Sequence, residues 1–156
     1  MSLSRLNDIE TAAFERDGYI VVRNMVPQQR CGELRRIATD PLIQLIAPIE
    51  FEVDVGYPGA PTNMNSPGSD ASRRLLQAFA RDEAYRLWAL DPEVKRILAC
   101  LLQTKENLFL SQCHHNCIMT KEPGYSSVTL WHQDSRYWAF DYEKLVSVWL
   151  ALGKED

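Results

Sequence analysis

The residues of this sequence best able to do chemistry stand together at Trp131-His132-Gln133-Asp134. In an extended chain, residues two apart point to the same side. His132 and Asp134 can then offer an imidazole nitrogen and a carboxylate oxygen to one metal ion. Joined by a second, distant histidine, such a pair makes the facial triad of non-haem Fe(II) oxygenases, which leaves three coordination positions open. Those positions suit the two arms of a 2-oxo acid and dioxygen. The tripeptide alone is not diagnostic. With three histidines in 156 residues, a His-x-Asp arises by chance in roughly a sixth of such chains. The competing reading is a strand-end histidine hydrogen-bonded to a nearby carboxylate.

A second group of metal-binding types is Cys113-His114-His115-Asn116-Cys117. Thiolates and imidazoles are good zinc ligands. On a strand, however, Cys113 and Cys117 lie about 13 Å apart at ~3.3 Å per residue. One zinc with bonds near about 2.3 Å cannot join them without a sharp bend. The remaining cysteines, Cys31 and Cys100, are far away in sequence, and the four are expected to be reduced thiols rather than a disulfide framework. Tyr137, Trp138 and Phe140 follow the His-x-Asp and could roof a substrate pocket or pack under a loop.

These residues need a sheet to hold them. Asn7 or Asp8 can cap a helix running through Arg16, and Asp17-Gly18 stops it. Tyr19–Arg23 is β-branched and aromatic and reads as a strand. Pro27 opens a second helix, roughly Gln28 to Ala38. Phe51–Val55 alternates apolar and acidic residues, as a short strand would. Gly56–Asp70 is rich in Gly, Pro, Asn and Ser, reads as a long loop, and is expected to act as a mobile lid that contacts substrate. Helical spacing resumes at Arg73 with Leu75, Leu76 and Phe79. Asp91-Pro92-Glu93 is a cap with a first-turn proline, so a helix should run to about Leu102 and bury Val94, Ile97, Leu98 and Leu101. From Leu108 the pattern is extended. Strands are expected over Leu108–Thr120, Val128–Asp134 and Val146–Leu152, with Glu122-Pro123-Gly124-Tyr125 as the turn between the first two. Helices first and sheet second means α+β.

Length fits one domain. Apolar residues are 46% and charged residues 24% of the chain, the balance of an ordinary globular protein. A net charge of −4 argues against nucleic-acid and anionic-membrane partners, which attract basic patches. No apolar run reaches the ~20 residues that span a bilayer, and the N-terminus lacks an apolar signal core, so a cytoplasmic location is expected.

Four stretches together resemble one family. Phe14-Glu-Arg-Asp-Gly-Tyr-Ile-Val-Val-Arg23 is similar to the opening helix and strand of the phytanoyl-CoA dioxygenase family, and Lys121-Glu-Pro-Gly124 to its Lys-Pro-Pro-Gly-like turn. Trp131-His-Gln-Asp-Ser-Arg-Tyr-Trp138 resembles its iron-binding strand, and Val148-Trp-Leu-Ala-Leu152 its next strand. The resemblance covers nearly the whole chain in order.

It implies a double-stranded β-helix, a jelly-roll or cupin-like fold, with N-terminal helices. It implies Fe(II) held by His132 and Asp134, and 2-oxoglutarate as cosubstrate. The reaction would be decarboxylation of 2-oxoglutarate to succinate coupled to hydroxylation of a small organic substrate by dioxygen. The carboxylate at Asp134 argues against halogenation, for which relatives carry a small residue there. Trp149 matches a tryptophan lining the cosubstrate pocket. His115 and Cys117 fall on strand positions that reach the cosubstrate, although Cys117, Trp149 and His115 also suit a plain core.

The family's third iron ligand, a distal histidine, and the arginine that pairs with 2-oxoglutarate would follow residue 156. The rest of the barrel is therefore expected from a longer chain or a second chain. The alternative is a non-catalytic jelly-roll binding module that keeps the iron motif by descent.

Overall fold

The computed structural model describes residues 6–105, 107–112, 116–122, 124–126, 132 and 144–153. Seven helices and three short strands are formed among them: α1 (Asp8–Asp17), α2 (Gln28–Ala38), α3 (Pro41–Gln44), β1 (Ile49–Phe51), α4 (Glu52–Val55), β2 (Ser72–Leu76), α5 (Ala78–Arg81), α6 (Glu83–Ala89), α7 (Pro92–Leu101) and β3 (Cys117–Met119). The strands make one antiparallel sheet in the order β1-β2-β3.

Local chemistry explains the helix ends. At α1, Asn7 Oδ1 accepts from the Glu10 amide while the Asn7 amide donates to the Glu10 carboxylate, a reciprocal capping box. Gly18, with φ 77°, closes the other end by donating to the Phe14 carbonyl. Asp91 caps α7 through the Glu93 amide, and Pro92 occupies the first turn, as the sequence predicts. Val94 is buried on α7, and Ile97, Leu98 and Leu101 are half-buried.

The core lies where α2 and α6 cover one face of the sheet. Leu34, Ile37 and Ala38 of α2 meet Leu75 of β2, Ile118 of β3 and Tyr85 of α6. Leu150 and Leu152 reach the same cluster from the 146–152 segment, whereas Trp149, between Val148 and Leu150, is 66% exposed. Burial alternates as in a strand from Trp149 to Leu152, with Val148 before it exposed, but the segment joins no ladder among the described residues, which corrects the expected strand.

Other elements also differ from expectation. Tyr19–Arg23 joins no ladder among the described residues, and Tyr19 and Val21 are exposed. β-propensity expresses a fit to a pleated, half-buried surface; Ile20 and Val22 are half-buried on one side, but no described strand lies alongside to pair with the stretch. The expected strand at Phe51–Val55 becomes the end of β1 followed by α4, because the Asp54 carboxylate accepts from the Phe51 amide and starts a helical turn. The helical spacing at Arg73–Leu76 becomes β2, with α5 and α6 after it. Of the long expected strand at Leu108–Thr120, Cys117–Met119 is in the sheet; residues 108–112 are not, and residues 113–115 are outside the described set. Val128–Asp134 lies outside it too, apart from His132. The mixed helix-strand class holds. A double-stranded β-helix is not seen among the described residues, which form one open sheet.

Charge holds the β1–β2 pair as much as apolar packing does. Glu52 is wholly buried, and its carboxylate lies 3.1 Å from the Arg73 guanidinium. Arg73 also faces Glu50 at 3.4 Å, and its guanidinium lies 4.9 Å from the Tyr57 ring centre. Removing one partner of a buried pair strands the other's charge, at a cost of ~3–5 kcal/mol. We expect Glu52→Ala to lower unfolding free energy by about 3 kcal/mol, the lower end of that range, because Glu50 remains beside Arg73. Urea melts of the two proteins test this, and a loss under about 1 kcal/mol would mean that the pair contributes no more than a surface one.

Tyr85 ties α6 to α2 through its hydroxyl, which donates to the Leu34 carbonyl at 2.7 Å. Burial, reinforced by the Asp82 charge, pushes the Tyr85 phenol up to about 12. An unfolded tyrosine titrates near about 10, so between these values the unfolded chain loses its proton first. Stability supplied by this group is complete below about pH 10 and declines by up to ~1.4 kcal/mol per pH unit towards pH 12. Tyr85→Phe should cost ~1–2 kcal/mol at neutral pH and show a correspondingly shallower alkaline decline than wild type. Parallel declines in the two proteins would assign the alkaline loss to other groups.

Candidate active site

β2 and β3 fix the one sequence-predicted pocket residue that lies in the sheet. Leu76 pairs with Cys117, Leu75 with Ile118, and Arg74 with Met119. Paired residues share a face, and alternate residues return to it. Leu75 and Ile118 therefore turn toward α2, where they are buried. Cys117 shares the opposite face with Leu76, Arg74 and Met119. It is half-buried and, like Cys31 and Cys100, makes no disulfide.

Arg74 was not legible as a site residue in the sequence, because only the pairing register shows which face it takes. Its guanidinium lies 3.4 Å from Glu50 across the β1–β2 pair, with a carboxylate contact at 3.5 Å at the limit of hydrogen bonding. Its buried Nε has no hydrogen-bond acceptor among the described residues. Beside Leu76 and Cys117 this face therefore carries a guanidinium paired with the Glu50 carboxylate, against an apolar and thiol wall. A facing Arg pair and Glu pair is the sequence signal that could have revealed β1–β2: Glu50-Phe-Glu52 against Arg73-Arg74.

The other predicted residues divide sharply. His132 is exposed. Asp134, His115, Tyr137 and Trp138 lie outside the described residues, as do Cys113 and His114. Trp149 presents its indole outward, away from the core that Leu150 and Leu152 enter. No group of three or more His, Cys, Asp or Glu side chains able to hold a metal occurs among the described residues. An imidazole nitrogen from His132 and a carboxylate oxygen from Asp134 are nonetheless a donor set suited to Fe(II).

The segment Gly56–Asp70 has neither helix nor strand, as expected, but it is hydrogen-bonded within itself. The Ala60 amide donates to the Tyr57 carbonyl, Asn65 to the Asn63 side chain, and Ser69 to Ser66. In Ser66-Pro67-Gly68-Ser69 the proline and a glycine with φ 75° take the central places, the pattern of a type II turn. The Glu122-Pro123-Gly124-Tyr125 turn is also present: the Tyr125 amide donates to the Glu122 carbonyl, and Gly124 has φ 90°.

No helix among the described residues is long and apolar enough to cross a membrane. Neither a curated protein nor a solved structure matches the chain. The sequence pattern of the family described as Phytanoyl-CoA dioxygenase (PhyH) matches residues 14–155. That span holds the end of the opening helix, the sheet that carries Arg74 and Cys117, and His132 with Asp134; the chain belongs to the phytanoyl-CoA dioxygenase family.

Proposed function

We propose that this chain carries part of the active site of an Fe(II)- and 2-oxoglutarate-dependent oxygenase that hydroxylates a small organic molecule. The family match across residues 14–155, with His132-Gln-Asp134 inside it, is the observation that carries this reading. Family membership supports dioxygenase chemistry and a jelly-roll fold in general terms. The substrate, the cosubstrate and the roles of individual residues are our reading.

When bound, Fe(II) with 2-oxoglutarate and dioxygen supplies the oxidation, releasing succinate and CO2 as a C–H bond becomes C–OH. The chain's part is to hold and to shield. His132 donates a ring nitrogen and Asp134 a carboxylate oxygen to the metal. Arg74 offers its charge to a carboxylate on the Cys117 face of the sheet, while Cys117 and Leu76 keep water from that side. Trp149 and His115 are assigned to the cosubstrate pocket, and Tyr137 and Trp138 to the substrate. Phe109, Val148 and Trp149 are exposed apolar side chains, and we assign their covering to the rest of the barrel, from a longer chain or a second chain. That partner would bring the third metal ligand and the arginine for 2-oxoglutarate.

His132→Ala in the full-length protein should weaken iron binding by more than the roughly hundredfold that loss of an outer partner causes. Succinate formation from 2-oxoglutarate should cease with it. Iron content and succinate release are measured side by side. Normal iron and undiminished turnover in the variant would overturn the assignment, and tight iron binding by wild type without turnover of 2-oxoglutarate would favour the binding-module alternative.

A further inference from the structure

β2 and β3 end side by side, and the pair at that end is Leu76 with Cys117. A terminal pair has a ladder neighbour on one side only, so it opens first unless something beyond the sheet holds it. Here α5 follows β2 after a single residue, Gln77, whose φ is 57°. Gln77 makes no side-chain cap, so the first amides of α5 need acceptors from elsewhere. Asn116, the residue before β3, supplies two. Its carbonyl accepts from the Ala78 amide at 3.0 Å, and its side-chain Oδ1 accepts from the Phe79 amide at 2.8 Å. The last residue of the same helix returns to β2, where Arg81 Nε donates to the Leu76 carbonyl at 2.6 Å. One short helix thus grips both members of the terminal pair, Leu76 directly and Cys117 through the residue before it.

We propose that Asn116 is a positioning residue for Cys117. By capping α5 in place of Gln77 it closes a ring through Leu76, Cys117, Asn116, α5 and Arg81, and that ring fixes the thiol on the face opposite Leu75 and Ile118. A helix of one turn does not persist on its own, so α5 is only as firm as its bonds to the two strands. Arg81 has two further acceptors, the carbonyls of Ile43 and Pro48, and holds its side of the ring by itself. Asn116 is the other side. Its main-chain carbonyl serves in any variant, but the Phe79 amide is met by the side chain, and a part-buried amide left unmet destabilises the arrangement that strands it. Loss of Oδ1 therefore loosens the start of β3, while β2 stays in register against β1. On the proposed assignment of Cys117 to the cosubstrate pocket, the same ring sets one wall of that pocket.

The test is made in the full-length protein, by iodoacetamide alkylation followed residue by residue with mass spectrometry. Cys31 on α2 and Cys100 on α7 are half-buried like Cys117 and report any loosening of the whole fold. Asn116→Ala should speed alkylation of Cys117 by about tenfold, the equivalent of one net hydrogen bond, and leave Cys31 and Cys100 within about twofold of wild type. Asn116→Asp, which keeps the acceptor, should match wild type at all three. Equal acceleration at the three cysteines, or none at Cys117 in a folded Asn116→Ala, overturns the proposal. So does an Asn116→Asp that behaves like Asn116→Ala. The part played in the pocket is read separately, as the KM for 2-oxoglutarate, which Asn116→Ala should raise several-fold with kcat retained. Selective exposure of Cys117 at an unchanged KM keeps the ring and removes Cys117 from the cosubstrate pocket.

Discussion

The buried Arg73–Glu52 pair is the constraint around which this structure is arranged. A guanidinium and a carboxylate withdrawn from water are stable only with each other close by, so β2 and the residues after β1 have little freedom of placement. Arg73 takes the same face as Leu75 by strand alternation, so the ion pair and the apolar core are set by one strand. The register that buries Leu75 and Arg73 also turns Arg74 and Leu76 to the other side, next to Cys117. A slip of one residue would exchange the faces. It would expose Leu75 and bring Arg74 and Leu76 under α2. The charge on the Cys117 face and the packing of the core are therefore one decision.

What could be read from the sequence follows the range of the interactions involved. Helix ends depend on groups three or four residues apart, and a cap at Asn7 or Asp8, the stop at Gly18, and Asp91 with Pro92 were all legible, though the part played by Glu10 was not. β2 was not, because Leu75, Leu76 and Phe79 also fit a helical face and the deciding partners, Glu52 and Ile118, are distant in sequence. The 146–152 segment shows the same division: Leu150 and Leu152 point inward as alternation demands, but alternation says nothing about whether a neighbouring strand is present to form a ladder.

For the site, motif and resemblance pointed to His132, Asp134, His115, Cys117, Trp149, Tyr137 and Trp138. Of these the structure places Cys117 on a defined face and leaves His132 and Trp149 exposed. It added Arg74, whose relevance arises from pairing register alone, and the contact of the Tyr125 ring with Gly68. The sequence marked the turn at Glu122–Tyr125, but placed Pro67-Gly68 only within a long loop. That they meet is a tertiary fact, which no local pattern carries.

Arg81 has a different consequence. It is buried, its charge disfavoured by that burial, and it donates to the carbonyls of Leu76 at 2.6 Å, Ile43 at 3.0 Å and Pro48 at 2.5 Å. One side chain thus joins the end of β2, the end of α3 and the approach to β1. If any of the three segments frays, it leaves a cation short of an acceptor in a dry place, which costs more than an ordinary hydrogen bond. The three are thereby bound into one cooperative unit of opening. Their amides should exchange with solvent together and late, while the helix α1 at the edge of the molecule frays on its own schedule.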